Sequence, residues 1–151
     1  MSKVIIEQLN GAQYPAAIND FNPGKVYPEY PFESDAVSEE PNGAYELIRN
    51  CLKDMGLDAE NLGTSQWNPR ATYIKPGDFV IVKPNLVMHG NENKSATENS
   101  FECLITNPAC IRAVCDYCLI ALKGTGRLMI GDTPMQRRDF DALLKKVAFP
   151  K

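Results

Sequence analysis

Lys83, Asn85 and Asp132 are the residues of this chain best suited to chemistry. Lys83-Pro84-Asn85 follows directly on the apolar run Phe79-Val80-Ile81-Val82, and Gly131-Asp132-Thr133-Pro134 follows directly on Arg127-Leu128-Met129-Ile130. An ammonium with a carboxamide two residues on suits an anionic oxygen or a carboxylate partner. Pro84 has no backbone N–H and cannot extend a strand, so it turns the chain and presents Asn85. Asp132 comes after a glycine that permits close backbone approach. It has the chemistry to hold a metal, orient a hydroxyl or take a proton. Lys83 and Asp132 are therefore the candidate catalytic residues, with Asn85, Thr106, Thr133 and His89 as candidate ligand-binding residues. His89, the sole histidine, lies just past the lysine corner and has acid–base or ligand chemistry. The bland alternative is a structural ion pair between Lys83 and Asp132, which needs the same geometry.

The elements that must position these corners are two apolar strands joined by a helix. Such a crossover makes the strands parallel, with their carboxyl ends at one edge, where open α/β sheets bind ligands. Lys83 and Asp132 are thus expected to meet in space although about fifty residues apart. Thr106-Asn107-Pro108 reads as the start of the crossover helix, with a capping side chain before a proline in the first turn. Its predicted buried stripe is Ile111, Val114, Cys115, Cys118, Leu119 and Leu122. Lys123-Gly124-Thr125-Gly126-Arg127 comes after that helix and before a strand. This is the reverse of the order that a phosphate-binding loop needs, so helix termination by glycine is the better account.

Around this unit the periodicity predicts more. Ala44, Leu47, Ile48, Cys51, Leu52 and Met55 mark an amphipathic helix between Pro41-Asn42 and Gly56. Residues 3–9, short and β-branched, read as a first strand, and Phe140, Leu143, Leu144 and Val147 as a short last helix. Residues 22–42 form a proline-rich acidic loop. Tyr27, Tyr30 and Phe32 lie inside it, so part of it should pack on the domain. Residues 86–105 form a long polar loop, a length typical of functional lids or disordered segments. The fold class is α/β, an open and mainly parallel sheet with flanking helices.

Bulk properties narrow the partners. The chain has 151 residues and reads as a single α/β domain, or the N-terminal part of a larger one. A net charge of −3 argues against nonspecific nucleic-acid binding. Residues 1–66 carry 4 basic and 11 acidic residues, a net of −7, and residues 67–151 carry 12 and 8, a net of +4. Two solvated faces explain that asymmetry, and so does an anionic ligand near the corners. No signal peptide or membrane-length apolar run is visible, which predicts a cytoplasmic protein without a membrane partner. Five cysteines, an odd number, fit reduced thiols. The spacing of Cys103, Cys110, Cys115 and Cys118 matches neither a zinc ribbon nor a ferredoxin run, so no metal is predicted.

Three stretches together resemble a known family. They are the run from Lys75 through Lys83-Pro84-Asn85 to Val87, the run from Thr106 to Val114, and Ile130-Gly131-Asp132-Thr133-Pro134. With Gln136, Asp139 and Phe140 they are similar to the family called domain of unknown function 362, over roughly residues 70–147. The resemblance implies an α/β fold. It also implies relatives that often carry a ferredoxin-type insert with iron–sulfur clusters, whose cysteines are absent here, so no cofactor is evident. Members continue well beyond this length, which implies a truncated or partial protein. The functional expectation is binding of a small anionic ligand at the strand ends. The alternatives are a noncatalytic interaction or assembly subunit, as an oligomer or docked to a missing C-terminal half, and a redox-associated protein by family relation. The residues do not name a reaction.

Overall fold

The computed structural model describes residues 3–11, 14–15, 21–32, 37–38, 41–88, 104–133, 139 and 141–142. Helix α1 spans Gly43–Asp54. A 3-10 turn spans Ala59–Asn61. Strand β1 spans Phe79–Val82, helix α2 Pro108–Leu122 and strand β2 Arg127–Ile130. The strands pair in parallel, Phe79 with Arg127 through to Val82 with Ile130. This is the expected βαβ unit of an open α/β fold. No described helix is long and apolar enough to cross a membrane.

Each helix begins where its capping residue dictates. The Asn42 side chain accepts from the Tyr45 amide at 3.1 Å, and its own amide donates to the carbonyls of Phe21 and Asn22. One asparagine thus starts α1 and ties the preceding loop to it. Asn107 caps α2, as the Thr106-Asn107-Pro108 run predicts: its side chain accepts from the Ala109 amide at 2.9 Å, and Pro108 takes the first helical position. α2 ends in two consecutive left-handed residues, Lys123 at φ 51° and Gly124 at φ 74°. Lysine thus shares the terminating role expected of glycine alone. At Gly126, φ is 92° and an added Cβ would lie 2.4 Å from the Asp78 carbonyl. Only glycine lets the chain pass the 75–78 turn there and deliver Arg127 N–H to Asp78 O.

The core lies between the two helices and the 27–32 loop. Trp67, Tyr45 and Tyr117 are fully buried, joined by Tyr27, Tyr30, Leu52 and Ala113. Trp67 meets Tyr117 edge-on at 5.7 Å and donates its indole N–H to the Leu57 carbonyl. The α2 stripe is correspondingly broader than predicted. Ala113, Asp116 and Tyr117 join it on the side facing α1, whereas Leu119 is exposed.

Two expectations need correction. Residues 3–9 pair with no strand, and Val4 and Ile6 are 82% and 87% exposed. Strand propensity needs an edge to bond to, and the segment lies instead at the end of α1, where Lys3 donates to the Asp54 carbonyl. The described sheet accordingly has two strands, not three. The predicted last helix falls mostly outside the described residues. Its visible start is Asp139 accepting from the Ala142 amide, with Asp141 and Ala142 helical.

Candidate functional site

The two corners meet. Lys83 Nζ lies 2.7 Å from Asp132 Oδ1, a distance set by the parallel register, because Val82 pairs with Ile130 and each chain turns one or two residues later. Gly131 N–H still bonds Val82 O at 3.1 Å, carrying the ladder one step beyond the strands. Asp132 also accepts from the amide of Leu86 at 2.7 Å and from that of Thr133 at 2.8 Å. One carboxylate therefore holds the lysine, its own turn and the chain that leaves the other turn.

The chain leaving Asn85 is closed by its own return. Leu86 bridges Ile105 in antiparallel fashion. The Thr106 amide donates to the Asn85 carbonyl at 2.7 Å and the Val87 amide to the Leu104 carbonyl at 3.1 Å. The Asn85 amide donates to Thr106 Oγ1 at 2.9 Å. The long loop thus has a bonded neck at residues 85–87 and 104–106, which brings the start of α2 to the rim. That helix end has no spare amides in its first turn. Asn107 takes Ala109 N–H with its side chain and Cys110 and Ile111 N–H with its carbonyl.

Exposure divides the pair. The Asp132 side chain is 6% exposed, that of Lys83 63%. Asp132 is covered by its immediate neighbours rather than by depth. The Lys83 ammonium is the main cause of a carboxyl held below its usual range, opposed by a smaller desolvation push and helped by the amides of Leu86 and Thr133. Such a group stays ionised and is a poor base, but it is a firm anchor for a cation. Asn85 is exposed beside it, Thr106 is half-buried and bonded into the neck, and Thr133 is exposed. His89 lies outside the described residues.

Sequence reasoning missed a second ionic cluster. Arg49 makes a two-pronged contact with Glu29, at 2.7 and 3.1 Å, and Tyr117 donates to the same carboxylate at 2.9 Å. Beside it, Arg112 lies 2.8 Å from Asp116, which also accepts from Tyr45 at 3.1 Å. Burial pushes the Asp116 carboxyl up, although Arg112 and Tyr45 pull it back. The signal available was an acidic residue between Tyr27 and Tyr30, two aromatics that must be buried. Every Glu29 contact is internal, so the cluster pins the 27–32 loop to both helices.

Two cavities lie away from the rim. One of about 380 Å³ sits between residues 7–9, Tyr14 and the helices, and one of about 340 Å³ sits beside Phe32, Trp67 and Lys123. Neither includes Lys83 or Asp132. Cys110, Cys115 and Cys118 are free thiols on α2, the last two buried. No described group of three His, Cys, Asp or Glu is placed to hold a metal ion, and Cys103 lies outside the described residues.

Residues 80–151 match the family model described as domain of unknown function (DUF362). That segment, just under half of the chain, is similar to the DUF362 family. It contains both corners, the neck and α2. No curated protein and no solved structure matches the chain significantly.

Proposed function

We propose that the carboxyl rim of β1 and β2 binds a small anionic group, a carboxylate or a phosphate, with Lys83 as its cation and Asn85 as a hydrogen-bond donor. The observation that carries this reading is the lopsided ion pair: a covered carboxylate holds the ammonium of a side chain that is itself 63% exposed. An ammonium has three N–H donors, and Asp132 uses one at 2.7 Å. Preorganising the cation in this way reduces the ordering cost of binding. Asp132 then serves as the positioning residue, and any chemical step would act through the lysine rather than through a carboxylate base. Thr106 and Thr133 shape the rim, and Asn85 stands at the outer lip.

A thermal-shift screen of small carboxylates and phosphate esters, followed by calorimetric titration of the best one, tests this reading. Lys83→Ala should weaken binding roughly 10- to 100-fold, the scale of a charge-assisted hydrogen bond, and Asn85→Ala by less. Equal affinity in wild type and Lys83→Ala would overturn it.

A further inference from the structure

Residues 3–9 have the composition of a strand, but no strand to pair with among the described residues. Val4 and Ile6 face solvent almost completely, while Ile5 and Glu7 are half-buried. Glu7 has the Asp54 carboxyl as its neighbour, and the hydrogen bond between them is the main cause that pushes the Glu7 carboxyl up.

The sheet has the complementary deficit. The described sheet has two strands with α2 on one face, whereas parallel sheets are ordinarily covered on both faces. Phe79, Ile81 and Met129 are 59%, 57% and 46% exposed on the face away from α2. The outer edge of β2 has a defined bonding pattern. Arg127 N–H goes to Asp78 O and Gly131 N–H to Val82 O, so the odd-numbered residues of β2 turn their backbone to β1. Leu128 and Ile130 therefore turn theirs outward, and an antiparallel partner must place its hydrogen-bonded residues opposite these two.

We propose that residues 3–7 are an exchanged strand that pairs antiparallel with the β2 edge of a second copy of this chain, with Val4 opposite Ile130, Ile5 opposite Met129, Ile6 opposite Leu128 and Glu7 opposite Arg127. In this register Val4 and Ile6 take the bonding positions and fall on the better-buried side of the sheet with Leu128. Ile5 covers Met129. Glu7 exchanges a carboxylate neighbour for a guanidinium, a charge complementarity that a parallel alignment does not offer, because Lys3 would then meet Arg127. The donor is a second copy rather than the same chain because of the layering. The segment leans on the end of α1, α1 packs on α2, and α2 separates α1 from the sheet. Reciprocal exchange gives a closed two-fold dimer with two three-stranded sheets. Lys83 takes no part in it.

Mixed cysteine variants test the pairing. Ile5 and Met129 would form a non-hydrogen-bonded pair, whose Cα separation suits a disulfide. Ile5→Cys mixed with Met129→Cys should cross-link on oxidation to a species of dimer mass. Each variant alone should do so no more than wild type, which controls for the native thiols. Light scattering on wild type should show a dimer. Glu7→Arg should weaken it at least tenfold, and Glu7→Arg combined with Arg127→Glu should restore it. A monomeric wild type, absence of the mixed cross-link, or a double cysteine variant that closes its bond at monomer mass would each overturn the proposal. Lys83→Ala should dimerise normally, so failure here is separable from failure of ligand binding.

Discussion

Two ion pairs in this molecule use the same chemistry to opposite ends. Glu29 and Arg49 are side chains with 1% and 14% exposure, ringed by Tyr27, Trp67 and Tyr117, with every contact internal. Asp132 and Lys83 are equally close, at 2.7 Å, but only the acid is covered. The first pair is closed on both sides and can only hold structure. The second is closed on one side and presents the other. Exposure of a single partner distinguishes a clamp from a candidate site.

The largest expected effect lies in the closed pair. Arg49→Met keeps much of the packing over Tyr27 and Trp67 but strands the Glu29 carboxylate in the core, so urea denaturation should show a loss of about 3–5 kcal/mol. Asp132→Ala comes next. It leaves the amides of Leu86 and Thr133 without their acceptor, and the same measurement should show a loss of about 1–3 kcal/mol. Tyr117→Phe removes one of three donors to Glu29 and should cost about 1 kcal/mol. Lys83→Ala should cost under about 1 kcal/mol, because a largely exposed ammonium contributes little to stability. A larger loss for Lys83→Ala than for Arg49→Met would erase the distinction.

Acid separates carboxylates of the two regions by sign. Asp132 has a folded pKa below its ordinary value of about 3.9. Its contribution is therefore whole above that value and is lost as pH falls through the lower folded one. Asp116, in the buried cluster, has a raised pKa. Its contribution is whole below about 3.9 and is lost as pH rises through the folded value. Urea midpoints across the acid range should show the gap between wild type and Asp132→Asn closing on acidification. The gap for Asp116→Asn should move in the opposite sense.

The rim was legible in the sequence because local pattern determines it. Apolar runs of four residues, a proline and a glycine just after them, and a capped helix between them suffice to bring Lys83 and Asp132 together. What escaped were contacts made by backbone or across long separations. Nothing in the order of residues marks Leu86 N–H as a partner of Asp132, because that bond depends on how the loop returns through Thr106. Glu29 sits in a stretch whose net acidity suggests a solvated face, and only the arrival of Arg49 and Tyr117 makes its burial tolerable. Residues 3–9 failed in the other direction. Their propensity is real, but propensity supplies no partner edge.

On the function proposed above, Lys83 is fixed for binding and not for folding. Stability and ligand titration of Lys83→Ala, measured on one preparation beside wild type, test it most directly. The account predicts a near-native urea midpoint together with binding of the screened anion weakened at least tenfold. A variant that binds as tightly as wild type, or one that unfolds as Arg49→Met is expected to, would contradict it.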